Sequence, residues 1–334
     1  MMEPKLYAAA QDRYGAMPYR RCGKSGLKLS ALSLGMWQNF GDRSSYETCR
    51  AVARRAFDLG ITVFDLANNY GPPIGAAEKM FGRLMRDDFL PYRDEMIVTT
   101  KAGFPNIPGP YGDGGSRKYL LASLDRSLRN MGLDYVDIFY HHRADPETPL
   151  EETMGALASA VKSGKALYAG ISNYTPEQAE QAAKILRGMG VPLLICQSRY
   201  NMLERGVEEA GMFRTAERCG FGMTAYSPLS QGRLTGKYNS GIPAGSRASR
   251  RQTSLSKDTI SPEIIVKVQK IGEIARRRGQ TPAQLALSWI LREPAMASVI
   301  VGVSSTAQLE ENIAAVRNLS FEDEELAEIE KILK

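Results

Sequence analysis

Residues 31–67, ALSLGMWQNFGDRSSYETCRAVARRAFDLGITVFDLA, contain a strand, a helix and a second strand, and they lack one motif. The apolar runs at 31–37 and 61–67 are short and continuous, as in strands covered on both faces. Between them, SYETCRAVARRAFDLG has the helical period and stops at Gly60. A doubly wound sheet usually announces itself with G-x-G-x-x-G after its first strand. Here that strand runs into LGMWQNFG, which has no such motif.

The same alternation continues outward. AAEKMFGRLMR, RKYLLASLDRSLRNMG, PLEETMGALASAVKSGK, TPEQAEQAAKILRGMG and EEAGMFRTAERCG read as helices. EMIVTTKAG, DYVDIFYHH, ALYAGIS, LLICQS and FGMTAYS are the strands that alternate with them. After a Gly-, Ser- and Arg-rich loop (230–256) come helices near 261–279 and 282–292, the strand ASVIVGV and a helix from Ser305. Eight βα units imply parallel strands joined by right-handed crossovers, and eight can close without an exposed edge. The expected fold is therefore α/β, a (β/α)8 TIM barrel. YRRC and LKLS around GKSG predict an N-terminal β-hairpin plugging its floor, and FEDEELAEIEKILK predicts a C-terminal helix. Residues 1–17 read as a lead segment and 18–334 as one barrel domain.

Composition narrows the function. The 334 residues are 43% apolar and 24% charged, enough for a large core. No run reaches the ~18–20 apolar residues of a membrane span, and the start lacks a signal-peptide pattern. The expectation is a cytoplasmic protein with no membrane partner. The net charge of +6, from 43 basic and 37 acidic residues, is spread along the chain and does not favour nucleic acid. Arg276, Arg277 and Arg278 before Gly279 suit the last turn of a helix. Cys22, Cys49, Cys196 and Cys219 form no C-x-x-C and have no nearby histidine, so neither a disulfide nor a metal is expected.

Active sites of such barrels lie at the carboxyl ends of the strands. Asp65 and Tyr70 in FDLANNYG, Lys101 in IVTTKAG and His142 in IFYHHR stand there. His141 and His142 are the only two histidines, and adjacent strand residues face opposite ways. Val136, Ile138, Tyr140 and His142 share one parity, and branched residues fill barrel interiors, so His142 should face the barrel mouth. His141 should face the helical layer or the rim. An ammonium about 4 Å from a phenol favours the phenolate by roughly 4 kcal/mol at an effective dielectric of about 20, so Lys101 should draw the Tyr70 pKa down. Asp65 would hold Lys101, and a neutral His142 would orient a carbonyl oxygen. Arg143 and Arg199 follow two strands and could meet a phosphate at the rim, or serve there as salt bridges.

These residues, with GISNY, QSRYN, YSPLSQGRLTGKY and GVSSTAQLEENI, resemble the aldo-keto reductases over residues 18–330. FDLANNYGPP, YGDGGSRKYLLASLD and DPETPLEET resemble the branch containing bacterial L-glyceraldehyde 3-phosphate reductases and potassium channel β subunits. The resemblance implies reversible hydride transfer from NADPH to a small aldehyde or ketone, with Tyr70 as proton donor assisted by Asp65, Lys101 and His142. It implies that Ser172, Asn173 and Gln197 hold the carboxamide, that Tyr226 stacks on the nicotinamide, and that Trp37 lies at the mouth. Ser227, Leu229, Gln231 and Lys237 match a loop along the pyrophosphate, and Ser304, Gln308, Glu311 and Asn312 match the adenosine site. GVSSTAQ also reads as a strand turning into a helix start, where free N–H groups favour phosphate. Arg247 could pair with a 2′-phosphate, which favours NADP+ over NAD+. The resemblance suggests a homotetramer or homo-octamer. The alternative is a nucleotide-sensing regulatory subunit like the channel β subunits, which have Asn where His142 stands.

Overall fold

A computed structural model describes residues 7–244, 246–249, 255 and 259–334. Strands β1 (Tyr19–Arg21) and β2 (Lys28–Ser30) pair antiparallel as a separate hairpin. Eight further strands follow: β3 (Leu32–Gly35), β4 (Val63–Asp65), β5 (Ile97–Ala102), β6 (Val136–His141), β7 (Ala166–Ser172), β8 (Leu193–Arg199), β9 (Gly222–Tyr226) and β10 (Met296–Val301). All neighbours are parallel, and β10 pairs with β3 to close the barrel.

Around it run α1 (Tyr46–Asp58), α2 (Ala76–Leu84), α3 (Arg117–Met131), α4 (Leu150–Lys162), α5 (Pro176–Gly188), α6 (Gly206–Glu209), α7 (Met212–Cys219), α8 (Pro262–Arg277), α9 (Pro282–Leu291), α10 (Thr306–Ile313) and α11 (Asp323–Leu333). Their starts are capped as the sequence allows. Ser45 and Ser116 accept from backbone N–H groups of α1 and α3, while Thr175–Gln178 and Thr281–Gln284 form reciprocal capping boxes.

The barrel interior is small and apolar at its floor. Val63, Ile138, Tyr140, Leu194, Ile195 and Ala297 pack there with Cys22 and Leu29 of the hairpin. Lys24 N–H donates to Gly220 O at 2.9 Å, and Arg20 Nη1 donates to Leu291 O at 2.5 Å, so the hairpin closes the end where strands begin. Tyr140 fits because its neighbour is Gly170, where a Cβ would lie 2.5 Å from the Tyr140 ring. The larger apolar layer lies between sheet and helices, and includes Phe57, Phe64, Phe81, Phe89 and Trp289.

Two expectations change. The helix foreseen to residue 86 continues as a π turn, Met85–Phe89, and a 3-10 segment, Leu90–Glu95, started by Pro91. The helix foreseen across 208–220 breaks at Gly211, whose φ of 85° is left-handed and leaves α6 and α7 as separate pieces. The lead segment also packs on the barrel from residue 7. Tyr7 Oη and Ala10 N–H both donate to Asp58 Oδ1, at 2.7 and 2.9 Å.

Candidate active site

β4 and β5 are in register, and their inward side chains meet at the mouth. Lys101, fully buried, donates from Nζ to both Asp65 carboxylate oxygens at 2.7 Å and to Leu66 O at 2.6 Å. The Tyr70 hydroxyl, on the turn before α2, accepts from the same Nζ at 3.5 Å. Asp65 Oδ1 also accepts from Thr99 Oγ1 and Gln197 Nε2, at 2.9 and 3.0 Å. This carboxylate is therefore held from β4, β5 and β8 at once, which fixes the ammonium. Thr99 was missed, although its parity with Lys101 could have found it.

The structure brings His142 to the same place. Its ring meets Phe104 edge-on at 4.7 Å and Tyr70 at 5.8 Å, and it is only 7% exposed. Burial first, then the charges of Lys101 and Arg143, hold its pKa well below the usual imidazole value. A neutral imidazole at the mouth can share one hydrogen with a carbonyl oxygen. Its Nδ1 has no hydrogen-bond partner among the described residues.

Tyr70 corrects the electrostatic expectation. Burial, Asp65 and Tyr226 push its hydroxyl well above the usual phenol value rather than below it. Burial is the first cause, and Lys101, 2.7 Å from a carboxylate and 3.5 Å from the phenol, does not offset it. The proton stays on Tyr70, which is the form a proton donor needs.

His141 faces the helices, as parity requires. Its Nδ1 lies 2.6 Å from Tyr174 Oη, and burial lowers its pKa from 6.5 to about 4. The unfolded chain takes up this proton near pH 6.5 and the folded chain near 4. Stability from His141 is thus complete above about pH 6.5 and is lost as pH falls toward 4, on the order of 3 kcal/mol in full. Urea midpoints at pH 7 and 5 should therefore differ less in His141→Gln than in the parent chain; an unchanged difference would exclude His141 as a source of acid sensitivity.

The remaining candidates line the same mouth. Ser172 and Gln197 are buried register partners at the ends of β7 and β8. Asn173 donates to His142 O at 3.0 Å and accepts from Tyr226 Oη at 2.8 Å. Trp37 is 42% exposed, with its ring 6.4 Å from that of Tyr70. Ser227, Leu229 and Gln231 lie on the loop after β9, with Lys237 exposed beyond it. Ser304 donates from N and Oγ to Gln308 Oε1 at 3.0 and 3.1 Å before α10. Glu311 is exposed on that helix and Asn312 is buried. The side chain of Arg247 lies outside the described residues.

All five non-glycine residues with positive φ among those described stand at this end of the barrel: Gln38, Asn173, Ser227, Ser230 and Gln231. Such strain gathers at binding sites. Glu204 had escaped the sequence reading. It receives Arg199 at 3.0 Å, Asn201 Nδ2 at 2.7 Å and Ser230 Oγ at 3.1 Å, and so ties the loops after β8 and β9 together. Arg199 is thus a rim salt bridge, and Arg143 likewise pairs with Asp113 at 2.9 Å. No cluster of metal-ligating side chains exists among the described residues, and no helix among them is long and apolar enough to cross a membrane.

Known proteins resemble this chain in sequence over most of its length. The chain is 54% identical over 329 residues to the L-glyceraldehyde 3-phosphate reductase of Escherichia coli strain K12, covering 98% of this chain and 95% of that one. It is 38% identical to a candidate voltage-gated potassium channel subunit beta of Schizosaccharomyces pombe, covering 95% and 93%. A similarly named Arabidopsis thaliana protein is 36% identical, covering 90% and 91%. Residues 31–334 match the model of the aldo/keto reductase family. With a closed eight-stranded barrel, an Asp, Lys, Tyr and His cluster at its mouth and these relatives, the chain belongs to the aldo/keto reductase family.

Proposed function

We propose that this chain is an NADPH-dependent reductase of small aldehydes, such as L-glyceraldehyde 3-phosphate or methylglyoxal, with Tyr70 as the proton donor. The observation that supports this most is the Tyr70 hydroxyl 3.5 Å from Lys101 Nζ, with the His142 ring 5.8 Å from its own and Lys101 locked by Asp65 behind them; burial favours the protonated phenol and the neutral imidazole. A carbonyl oxygen placed there receives the Tyr70 proton while His142 orients it, and Lys101 stabilises the phenolate left behind. Asp65 keeps the ammonium charged and in place.

The nucleotide supplies the hydride when bound. Ser172, Asn173 and Gln197 offer amide and hydroxyl groups for its carboxamide, and Tyr226 offers a ring face. Ser227, Leu229, Gln231 and Lys237 would hold the pyrophosphate, while Ser304, Gln308, Glu311 and Asn312 would hold the adenosine. The positive-φ backbone of the loop after β9 and the helix start at α10 suit phosphate oxygens. Arg247 is assigned to the 2′-phosphate, so Arg247→Ala should weaken NADPH at least about tenfold more than NADH, as loss of a charge-assisted contact predicts. Fluorescence titration checks this, and equal losses for both nucleotides would remove Arg247 from the site.

The two channel-subunit relatives support a second reading, a nucleotide-sensing regulatory subunit. The presence of His142 favours the enzyme. NADPH oxidation against glyceraldehyde 3-phosphate, methylglyoxal and aromatic aldehydes separates the two, since a sensor should turn over none of them efficiently. We place the enzyme in the cytoplasm as a homotetramer or homo-octamer, which light scattering can test.

A further inference from the structure

The segment after β5, residues 103–115, covers one side of the mouth; Asn106, Phe104 and Gly115 tie it to the helical layer, and Arg143 bridges its two ends on the side of the mouth. Arg143, directly after His142, donates from Nε to Gly103 O at 2.9 Å where the segment leaves. From Nη2 it reaches both carboxylate oxygens of Asp113 near the segment's end, at 3.0 and 2.9 Å. Its guanidinium lies 4.8 Å above the Phe104 ring, and that ring meets His142 at 4.7 Å. The positive charge is thus one aromatic ring away from the catalytic cluster.

Two features set this ion pair apart from a structural clamp. Both partners are open to solvent, at 40% and 42%, and Nη1 of Arg143 has no partner among the described residues. Asp113 is also carried on a stretch with four glycines, Gly109, Gly112, Gly114 and Gly115, of which Gly109 and Gly114 have φ of 93° and 81°. The Asp113 side chain can turn away into solvent while Gly112 and Gly115 stay bonded to Asn106, Asp145 and Thr153, so β5 and α3 are undisturbed. The contact to Gly103 O would remain, so the guanidinium stays aimed.

We propose that Arg143 receives the phosphate of a phosphorylated aldehyde, and that Asp113 occupies this position as an internal anion that the substrate displaces. A phosphate dianion carries more charge than a carboxylate and can engage Nη1 and Nη2 together, in the two-pronged geometry guanidinium favours. The exchange couples recognition to the mouth. Binding of the distal phosphate releases the Asp113 side chain while Phe104 stays between the guanidinium and His142. A neutral aldehyde cannot displace Asp113.

This assignment rests on the reductase reading, and the experiment separates their failures. With the nucleotide saturating, kcat/KM is measured for glyceraldehyde 3-phosphate and for glyceraldehyde in the parent chain, Arg143→Gln and Asp113→Asn. The ratio of phosphorylated to unphosphorylated kcat/KM should fall about tenfold or more in Arg143→Gln, as loss of a charge-assisted pair predicts. It should rise several-fold in Asp113→Asn, because the competing charge is gone. An unchanged ratio in Arg143→Gln, or a fall in Asp113→Asn, overturns the proposal and leaves Arg143 as a loop clamp. Calorimetry with glycerol 3-phosphate and with inorganic phosphate, at saturating NADP+, provides a readout independent of turnover. Binding of glycerol 3-phosphate lost in Arg143→Gln and tightened in Asp113→Asn supports the site even if no aldehyde is reduced. Binding unaffected by either change refutes it, and inorganic phosphate binding equally well would reduce it to a general anion site.

Discussion

Tyr70→Phe should lower kcat for aldehyde reduction by roughly 10²–10⁴-fold, the range expected for loss of a positioned proton donor. The substitution removes one oxygen and keeps the ring that packs near Trp37 at 6.4 Å and His142 at 5.8 Å. Nucleotide affinity should therefore stay within about twofold, since no cofactor contact is assigned to that hydroxyl. Stopped-flow reduction and a fluorescence titration of NADPH separate the two quantities. Parent-like turnover in this variant would sink the mechanism. His142→Ala should also impair reduction, by removing the group proposed to orient the carbonyl.

The largest expected effect on stability comes from Lys101→Met. Lys101 is fully buried and Asp65 is 3% exposed, so removing the ammonium leaves a carboxylate with Thr99 and Gln197 but no counter-charge. Breaking a buried pair from one side costs about 3–5 kcal/mol. Removing both charges costs less, so Lys101→Met with Asp65→Asn should recover most of the loss. Urea unfolding of the two single variants and the double variant measures the coupling, and a loss below about 1 kcal/mol in Lys101→Met would contradict a strong buried pair.

The barrel was legible because each of its strands is a separate apolar run, and the parity of Ile138, Tyr140 and His142 was enough to turn His142 inward. The π turn at 85–89 and the break at Gly211 were not legible, because both lie in segments whose apolar period continues across them. Tyr70 shows a different limit. Sequence placed Lys101 beside it, but the sign of the shift is set first by burial of the hydroxyl and then by Asp65, neither of which a linear sequence measures. Glu204 and the Arg143–Asp113 pair were hidden for the same reason: exposed loop charges have no period, and only a path in three dimensions shows which of them meet. Arg247 stays an expectation from its charge and position.

The floor hairpin has a consequence for synthesis on the ribosome. Arg20 bonds to a carbonyl 271 positions later, and Ser30 O accepts from Ser298 Oγ at 2.7 Å. A nascent chain that emerges from its amino end must hold β1 and β2 without these partners until β10 has left the exit tunnel. Their docking therefore belongs to the last stage of folding, when the β10–β3 seam closes. A ribosome-bound fragment ending before residue 291 should hold its hairpin through Gly60, Leu194 and Gly220 without those later bonds, and so leave it more open to protease than in the full chain.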